Sequence, residues 1–281
     1  MTDTGMHSDV ALLKVRMQAF INDELIPQEP VLFGEDERAD QAMAALKERA
    51  RELGLWALGH PQEIGGGGLR LMDFASLNEV IGRSYFGQFA VGSVSMQDSV
   101  MLHMYGNEAQ REQWLAPLVQ GAIYPSVGLT EPQVAGSDPT LMQSTAVLDG
   151  DEWVINGHKW FTSGANKAAF TTVFCETEPD QQKHSKFSAI IVPTDAPGYT
   201  IKRVVRTMGE TLGGHCEIDL SNVRVPASNL LGERGKGFLI AQKRLGPGRI
   251  FHCMRWLGQA QRAFELMCNY ANKRYSHGSL L

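Results

Sequence analysis

The chain has 281 residues, 43% of them hydrophobic and 20% charged, the balance of a soluble globular protein. A formal net charge of -5 and the absence of any Lys/Arg cluster argue against nucleic acid as the main partner. No apolar run reaches the roughly eighteen residues that a membrane span needs.

The N-terminal MTDTGMHSDV has no apolar stretch and no Arg, so neither a secretory signal nor a transit peptide is expected. Ser279-Leu280-Leu281 is not the usual peroxisomal tripeptide. A cytoplasmic location is the resulting expectation. Cys175, Cys216, Cys253 and Cys268 form no C-x-x-C pair. They are expected to be reduced, mostly buried thiols, with no metal site.

Residues 1–123 read as a helical domain. Leu13, Met17, Phe20, Ile21 and Leu25 recur at three- and four-residue spacing, one face of a helix that Pro27 is expected to stop. A second amphipathic run, Ala42 to Leu53, ends at Gly54. A third begins near Asp73, with Leu77, Val80 and Ile81 on one side. A short helix from Ala109 to Val119 closes near Gly121.

Residues 124–235 change period. Ser144–Leu148 and Trp153–Ile155 are β-rich runs joined by Asp149-Gly150, a strong hairpin signal. Asn156-Gly157 is expected to turn the chain again into Lys159–Thr162. Phe170–Cys175, Ser188–Val192, Tyr199–Val205 and Cys216–Leu220 follow, and such spacing predicts a β-barrel or sandwich. Residues 236–281 return to helix, with Leu257, Ala260, Phe264 and Met267 on one stripe. Gly246-Pro247-Gly248 is expected to interrupt or kink that helix. The fold class is therefore α+β: an α-helical N-terminal domain, a β-domain and the start of a helical bundle.

Two segments could carry chemistry. In 124–144, YPSVGLTEPQVAGSDPTLMQS, small residues and hydroxyls let backbone N–H groups approach a ligand, although composition fits a surface loop as well. In Trp160-Phe161-Thr162-Ser163, two aromatics stand beside hydroxyls, either as a ligand wall or as an ordinary strand with a buried Trp. Gly65–Gly68 lacks the Lys-Ser/Thr of a P-loop and reads as a turn.

Taken together, LTEP-x-x-AGSD followed by HKWFTSGA resembles the paired flavin signatures of the acyl-CoA dehydrogenase family. PQEIGGGG (61–68), Gly106-Asn107-Glu108-Ala109-Gln110 with Trp114-Leu115, and Met208-Gly209 with Val223-Arg224-Val225-Pro226 and Leu231-Gly232 resemble further family segments in the same order. The resemblance covers nearly the whole chain. RLGPGRIFHCMR and the Gln133-Val134 spacing are most similar to a long- or branched-chain subgroup, which in animals is fused to a kinase-like domain.

This resemblance implies FAD as cofactor and α,β-dehydrogenation of a fatty acyl-CoA, a reaction of fatty acid metabolism and β-oxidation. Val127, Gly128, Leu129, Thr130, Ser137, Trp160, Phe161, Thr162 and Arg274 would contact FAD, Thr162 at flavin N5 and Arg274 at the pyrophosphate of a neighbouring subunit. Ser137 and Arg249 would contact the acyl-CoA. An electron-transferring flavoprotein would accept the electrons from a homodimer or homotetramer. The family's usual base, a Glu, would lie beyond residue 281, and Gly248 stands at the minority base position, so no catalytic base is assigned. The R-x-x-F-G motif reads Arg274-Tyr275-Ser276-His277-Gly278, with His for Phe. The resemblance thus implies a C-terminally truncated chain that binds FAD weakly or not at all alone. A truncated inactive remnant, and an oxygen-using flavin oxidase or monooxygenase, are the alternative readings.

Overall fold

In the computed structural model, which describes residues 4–34, 36–208 and 210–281, the first helix runs past the proline expected to stop it. Helix α1 (Thr4–Ala19) passes into a π-type turn (Phe20–Leu25), a 3-10 turn (Ile26–Gln28) and α2 (Glu29–Leu32), all with helical dihedrals at the junctions. Pro27 occupies the first turn of the 3-10 segment, where its missing N–H forfeits nothing. Met17, Phe20, Ile21 and Leu25 are buried, as their spacing predicts.

Asp36 caps α3 (Glu37–Glu52) by accepting from the Ala39 N–H at 3.1 Å, and Gly54 follows in the left-handed region. α4 (Leu71–Ile81) buries Leu77, Val80 and Ile81, and α5 (Gly87–Ala90) is a single turn. Between α3 and α4 the tetraglycine folds back on residues 57–62. Its four N–H groups donate to the carbonyls of Gln62, Pro61, Ala57 and His60, so it is a turn with no backbone donors left for a phosphate.

The chain divides into two units, Met1–Met96 with Gly246–Leu281, and Gln97–Leu245. In the first, the C-terminal part of α9 (Gly237–Ala271) lies against α4. A Cβ on Gly258 would come 1.9 Å from the Glu79 carbonyl oxygen, and one on Gly82 would come 2.3 Å from Arg255 Cα. Backbone contact this close admits only glycine at both points. Phe251 meets Phe74 edge-on at 5.3 Å. Beyond them two bidentate pairs clamp the helix: Arg83 on Glu265 at 3.1 and 2.6 Å, and Arg262 on Glu29, both bonds at 2.7 Å. The packed face therefore carries Phe251, Gly258, Arg262 and Glu265. Leu257, Ala260, Phe264 and Met267 form the opposite, exposed stripe.

Of the two outcomes expected of Gly246-Pro247-Gly248, interruption does not occur: α9 runs through it, since one missing hydrogen bond is outweighed by the rest of a helix of 35 residues. After α9, β9 (Tyr275–Ser276) and β10 (Ser279–Leu280) pair across His277-Gly278, both at positive φ.

The second unit opens with α6 (Met96–Tyr105), α7 (Glu108–Gln110), a π-type turn (Arg111–Leu115) and α8 (Ala116–Val119). Asn107 and Gln110 form a capping box, and Gln110 Nε2 also donates to the carbonyls of Ser228 and Leu230. That dual use accounts for the Asn and Gln of this motif.

Eight strands build one mixed sheet: β1 (Pro125–Gly128), β2 (Thr145–Asp149), β3 (Glu152–Ser163), β4 (Phe170–Glu176), β5 (Phe187–Pro193), β6 (Tyr199–Thr207), β7 (Glu210–Pro226) and β8 (Leu230–Leu231). Their order is β6-β7-β3-β2-β4-β5-β8, with β1 parallel to β4. β4 and β5 are buried nearly throughout, matching their continuous apolar runs. Asp149 pairs with Glu152, so Gly150-Asp151 is the hairpin turn, with Gly150 left-handed.

Asn156-Gly157, by contrast, is no turn. β3 continues through it, and the irregularity is an extra residue on β7, where Asn222 has φ 51° and exchanges amide hydrogen bonds with Asn156. The core comprises Trp153, Ile155, Val173, Ile190, Val192, Ile218 and Val223 among others. Cys175 and Cys216 are buried there, but Cys253 is exposed and Cys268 half-buried on α9, correcting the expectation for Cys253. Its apolar neighbours belong to the exposed stripe. Gly209, of the Met208-Gly209 segment, lies outside the described residues.

Candidate functional site

The site grows from β3. Trp153 and Ile155 point into the core, and the period-two alternation carries the inward phase on through Gly157 to Lys159. Lys159 pairs with Ile218 and Thr162 with Cys216, so two residues of β3, Trp160 and Phe161, stand opposite Glu217 alone. This is a β-bulge with Phe161 at φ 50°, a conformation rare for a bulky side chain. Ile218 and Cys216 share one face of β7, so the extra residue returns Thr162 to the face that Lys159 occupies. Both are fully buried, while the Phe161 ring is 42% exposed.

Around the bulge, the Trp160 and Phe161 rings meet edge-on at 4.9 Å. Phe161 also lies 5.9 Å from the His215 ring, and Ser163 Oγ is 2.8 Å from His215 Nδ1. Among the described residues, the Trp160 Nε1 and Thr162 Oγ1 atoms are buried and have no hydrogen-bond partner. Two such groups on one bulge are unusual, because buried polar atoms are nearly always satisfied.

The second segment meets the first through backbone. Trp160 N–H donates to the Thr130 carbonyl at 3.0 Å, and Ser126 Oγ donates to the Ser163 carbonyl at 2.7 Å. Gly128 is buried, with its α-carbon turned toward Lys159 and Thr171. Val127, Leu129 and Thr130 are half-buried, and Ser137 is exposed in the same loop, next to Gly136, which closes on Thr130. Residues 127–130 and 160–162 are thus joined. Arg249 and Arg274 belong to the other unit: Arg249 is exposed on α9, and Arg274 is exposed with Nη1 donating to Tyr270 Oη at 2.8 Å.

Sequence reasoning gave no role to Glu131 and Lys159, although both lie inside the motifs. They form a buried ion pair, Nζ to Oε1 at 2.7 Å, with side chains 0% (Lys159) and 1% (Glu131) exposed. Burial drives the Glu131 carboxyl upward, but the charge of Lys159 and the hydrogen bonds to Glu131 outweigh it and hold the group below the ordinary value. Burial lowers the Lys159 ammonium, partly offset by Glu131. A lysine on the inward phase of a strand was the available signal. Glu265 is held down to about 2, chiefly by its hydrogen bonds from Arg83, as befits a structural carboxylate rather than a base. No group of His, Cys, Asp or Glu among the described residues could hold a metal ion, and no helix there is long and apolar enough to cross a membrane.

The chain matches the acyl-CoA dehydrogenase N-terminal domain over residues 8–122, the middle domain over 126–223 and the C-terminal domain over 235–281. It is 45% identical over 249 residues to "Probable acyl-CoA dehydrogenase FadE2" of Mycobacterium tuberculosis, an alignment covering 86% of this chain and 60% of that protein. The chain therefore spans about 60% of the length of that curated relative. Among solved structures, "Structure of a putative acyl-CoA dehydrogenase from Mycobacterium abscessus" is 37% identical with a TM-score of 0.90, covering 97% of this chain and 72% of that one. A glutaryl-CoA dehydrogenase from Mycobacterium smegmatis in complex with FADH2 is 25% identical with a TM-score of 0.79, covering 97% and 68%. With all three domains matched in order and the fold shared over nearly its whole length, the chain belongs to the acyl-CoA dehydrogenase family.

Proposed function

We propose that the chain supplies the flavin and thioester site of an FAD-dependent acyl-CoA dehydrogenase acting on a fatty acyl-CoA. The carrying observation is the pair of buried, unpartnered groups, Thr162 Oγ1 and Trp160 Nε1, on a strained bulge beside two aromatic rings. A planar heteroaromatic ring with acceptors along its edge is the ligand such a wall fits. The M. smegmatis glutaryl-CoA dehydrogenase, solved in complex with FADH2, supports this choice of ligand.

Bound FAD would supply hydride acceptance at N5. The chain's part is to bind and orient. Val127, Gly128, Leu129 and Thr130 would line the ring, with Trp160 and Phe161 packing on it. The Thr162 hydroxyl would donate to N5 and would stabilise the charge that develops there, because the strand fixes it before the reaction begins. Burial around that hydroxyl excludes water, which strengthens the interaction further. Ser137 and Arg249 are assigned to the acyl-CoA, and Arg274 to the FAD pyrophosphate of a neighbouring subunit, where a guanidinium can make a paired contact. Assembly as a homodimer or homotetramer, and electron delivery to an electron-transferring flavoprotein, complete the reading.

The test is anaerobic addition of a saturated acyl-CoA to an FAD-loaded chimera of this chain with the C-terminal remainder of the M. tuberculosis relative, because no catalytic base is assigned within the 281 residues. Bleaching of the oxidised flavin with release of the enoyl-CoA is expected. Stoichiometric FAD that no acyl-CoA bleaches would sink the proposal, and peroxide formed at the rate of turnover would move it to an oxidase.

A further inference from the structure

The ammonium of Lys159 has three N–H donors, and it uses them on the Leu129 carbonyl at 3.2 Å, Glu131 Oε1 at 2.7 Å and the Phe174 carbonyl at 2.7 Å. Glu131 is as fully engaged. Its Oε1 also accepts from Ser144 N–H at 2.9 Å and Ser144 Oγ at 2.7 Å, and its Oε2 from Gln143 N–H at 2.6 Å. One pair thereby binds residues 129–131, residues 143–144, β3 and β4. The Leu129 carbonyl and the Glu131 carboxylate flank Thr130, whose own carbonyl takes the Trp160 N–H at 3.0 Å.

A buried ion pair is a poor source of net stability, since desolvation cancels most of the attraction and an apolar pair of similar volume often holds a fold as well. Apolar packing has no preferred direction, whereas three hydrogen bonds from one ammonium fix where each acceptor lies. Two of the acceptors belong to the 129–131 stretch and the third to β4, while Lys159 itself immediately precedes the bulge that presents Trp160 and Thr162.

We propose that Lys159, closed on Glu131, is a positioning residue that holds the 127–131 segment against β3 and so fixes the bearing of the Thr162 hydroxyl and the Trp160 indole N–H toward a bound flavin. This rests on the flavin reading of the site. Lys159 touches no ligand itself; it acts through the backbone on either side of Thr130.

Lys159→Met alone leaves a buried carboxylate without its counter-charge and is expected to unfold. The informative variant is Lys159→Met with Glu131→Gln, which removes both charges and keeps one acceptor oxygen, for the Ser144 N–H and hydroxyl, at the loss of the Gln143 N–H bond. Positioning predicts an unfolding midpoint close to wild type. It also predicts exchange of the Trp160 amide faster by on the order of tenfold or more, with the Val173 and Ile190 amides unchanged. Where wild type quenches added FAD fluorescence, the double variant should bind FAD about tenfold more weakly. Trp160 exchange at the wild-type rate overturns the proposal, as does acceleration of all amides together with a lowered midpoint, the mark of a purely stabilising pair. If neither wild type nor its chimera with the relative's C-terminal remainder quenches FAD, the flavin reading fails, while the amide measurement still decides whether Lys159 holds the two segments together.

Discussion

Lys159 and Thr162 are three residues apart on β3 and yet lie on the same face of the sheet, both fully buried. Regular alternation would put them on opposite faces. The left-handed Phe161 between them absorbs the extra residue and turns the Thr162 hydroxyl inward, where it has no partner. Strain of this kind persists where surrounding structure over-determines it, and it clusters at functional sites.

Thr162→Val should separate folding from function. The hydroxyl is buried and unsatisfied, so its removal should leave stability unchanged or raise it by about 1 kcal/mol, read by urea unfolding. In FAD-loaded protein, reduction by acyl-CoA should slow by roughly 1–3 kcal/mol of transition-state stabilisation, read by anaerobic stopped-flow. Loss of stability with unchanged reduction would remove Thr162 from the site.

Gly258→Ala should destabilise the first unit by about 1–3 kcal/mol, because the new methyl group would drive α9 off the Glu79 carbonyl. Ala is the better helix former by up to about 1 kcal/mol, so a net gain in the thermal midpoint would contradict the close crossing.

His60 should make the first unit acid-sensitive. Its ring is buried with neither nitrogen bonded, and burial lowers its pKa to about 4 from 6.5. The unfolded chain binds the proton more readily between those values. Stability is therefore full above about 6.5 and falls as pH drops toward about 4, by roughly 3 kcal/mol in all. Depressed carboxylates such as Glu265 weaken the fold mainly below about 4.5, leaving the higher window to His60. His60→Leu should flatten the unfolding free energy between about pH 5 and 6.5; an unchanged slope there would mean that the ring is solvated.

The exposed stripe on α9 should drive association. Leu257, Phe264 and Met267, with Trp256 and Tyr270 nearby, offer water several side chains whose burial is worth about 1.5–3 kcal/mol each. Sedimentation should show mass rising with concentration, and Leu257→Gln with Phe264→Gln and Met267→Gln should abolish the rise. A wild-type chain that stays monomeric at every concentration would refute this.

Local pattern made most elements readable from the residues alone. Helical spacing identified α1, α3, α4 and α9, alternation and Asp149-Gly150 identified the β2–β3 hairpin, and the ordered motifs pointed to the family. Each of these signals lies within a window of a few turns or one hairpin, where propensity and periodicity act directly. What needed the tertiary structure involves residues far apart in the chain. The bulge at Phe161 exists only against β7, the Lys159–Glu131 pair spans 28 positions, and Arg262 finds Glu29 across 233. Asn156-Gly157 read as a turn because its residues favour one, but pairing with Asn222 kept it in the strand. The apolar stripe of α9 was legible in the sequence and is exposed; it is not the side that packs, where glycine contact and two arginine–glutamate clamps bind. Composition shows how much apolar surface a helix carries. Only the partner's shape and charge decide which side it buries.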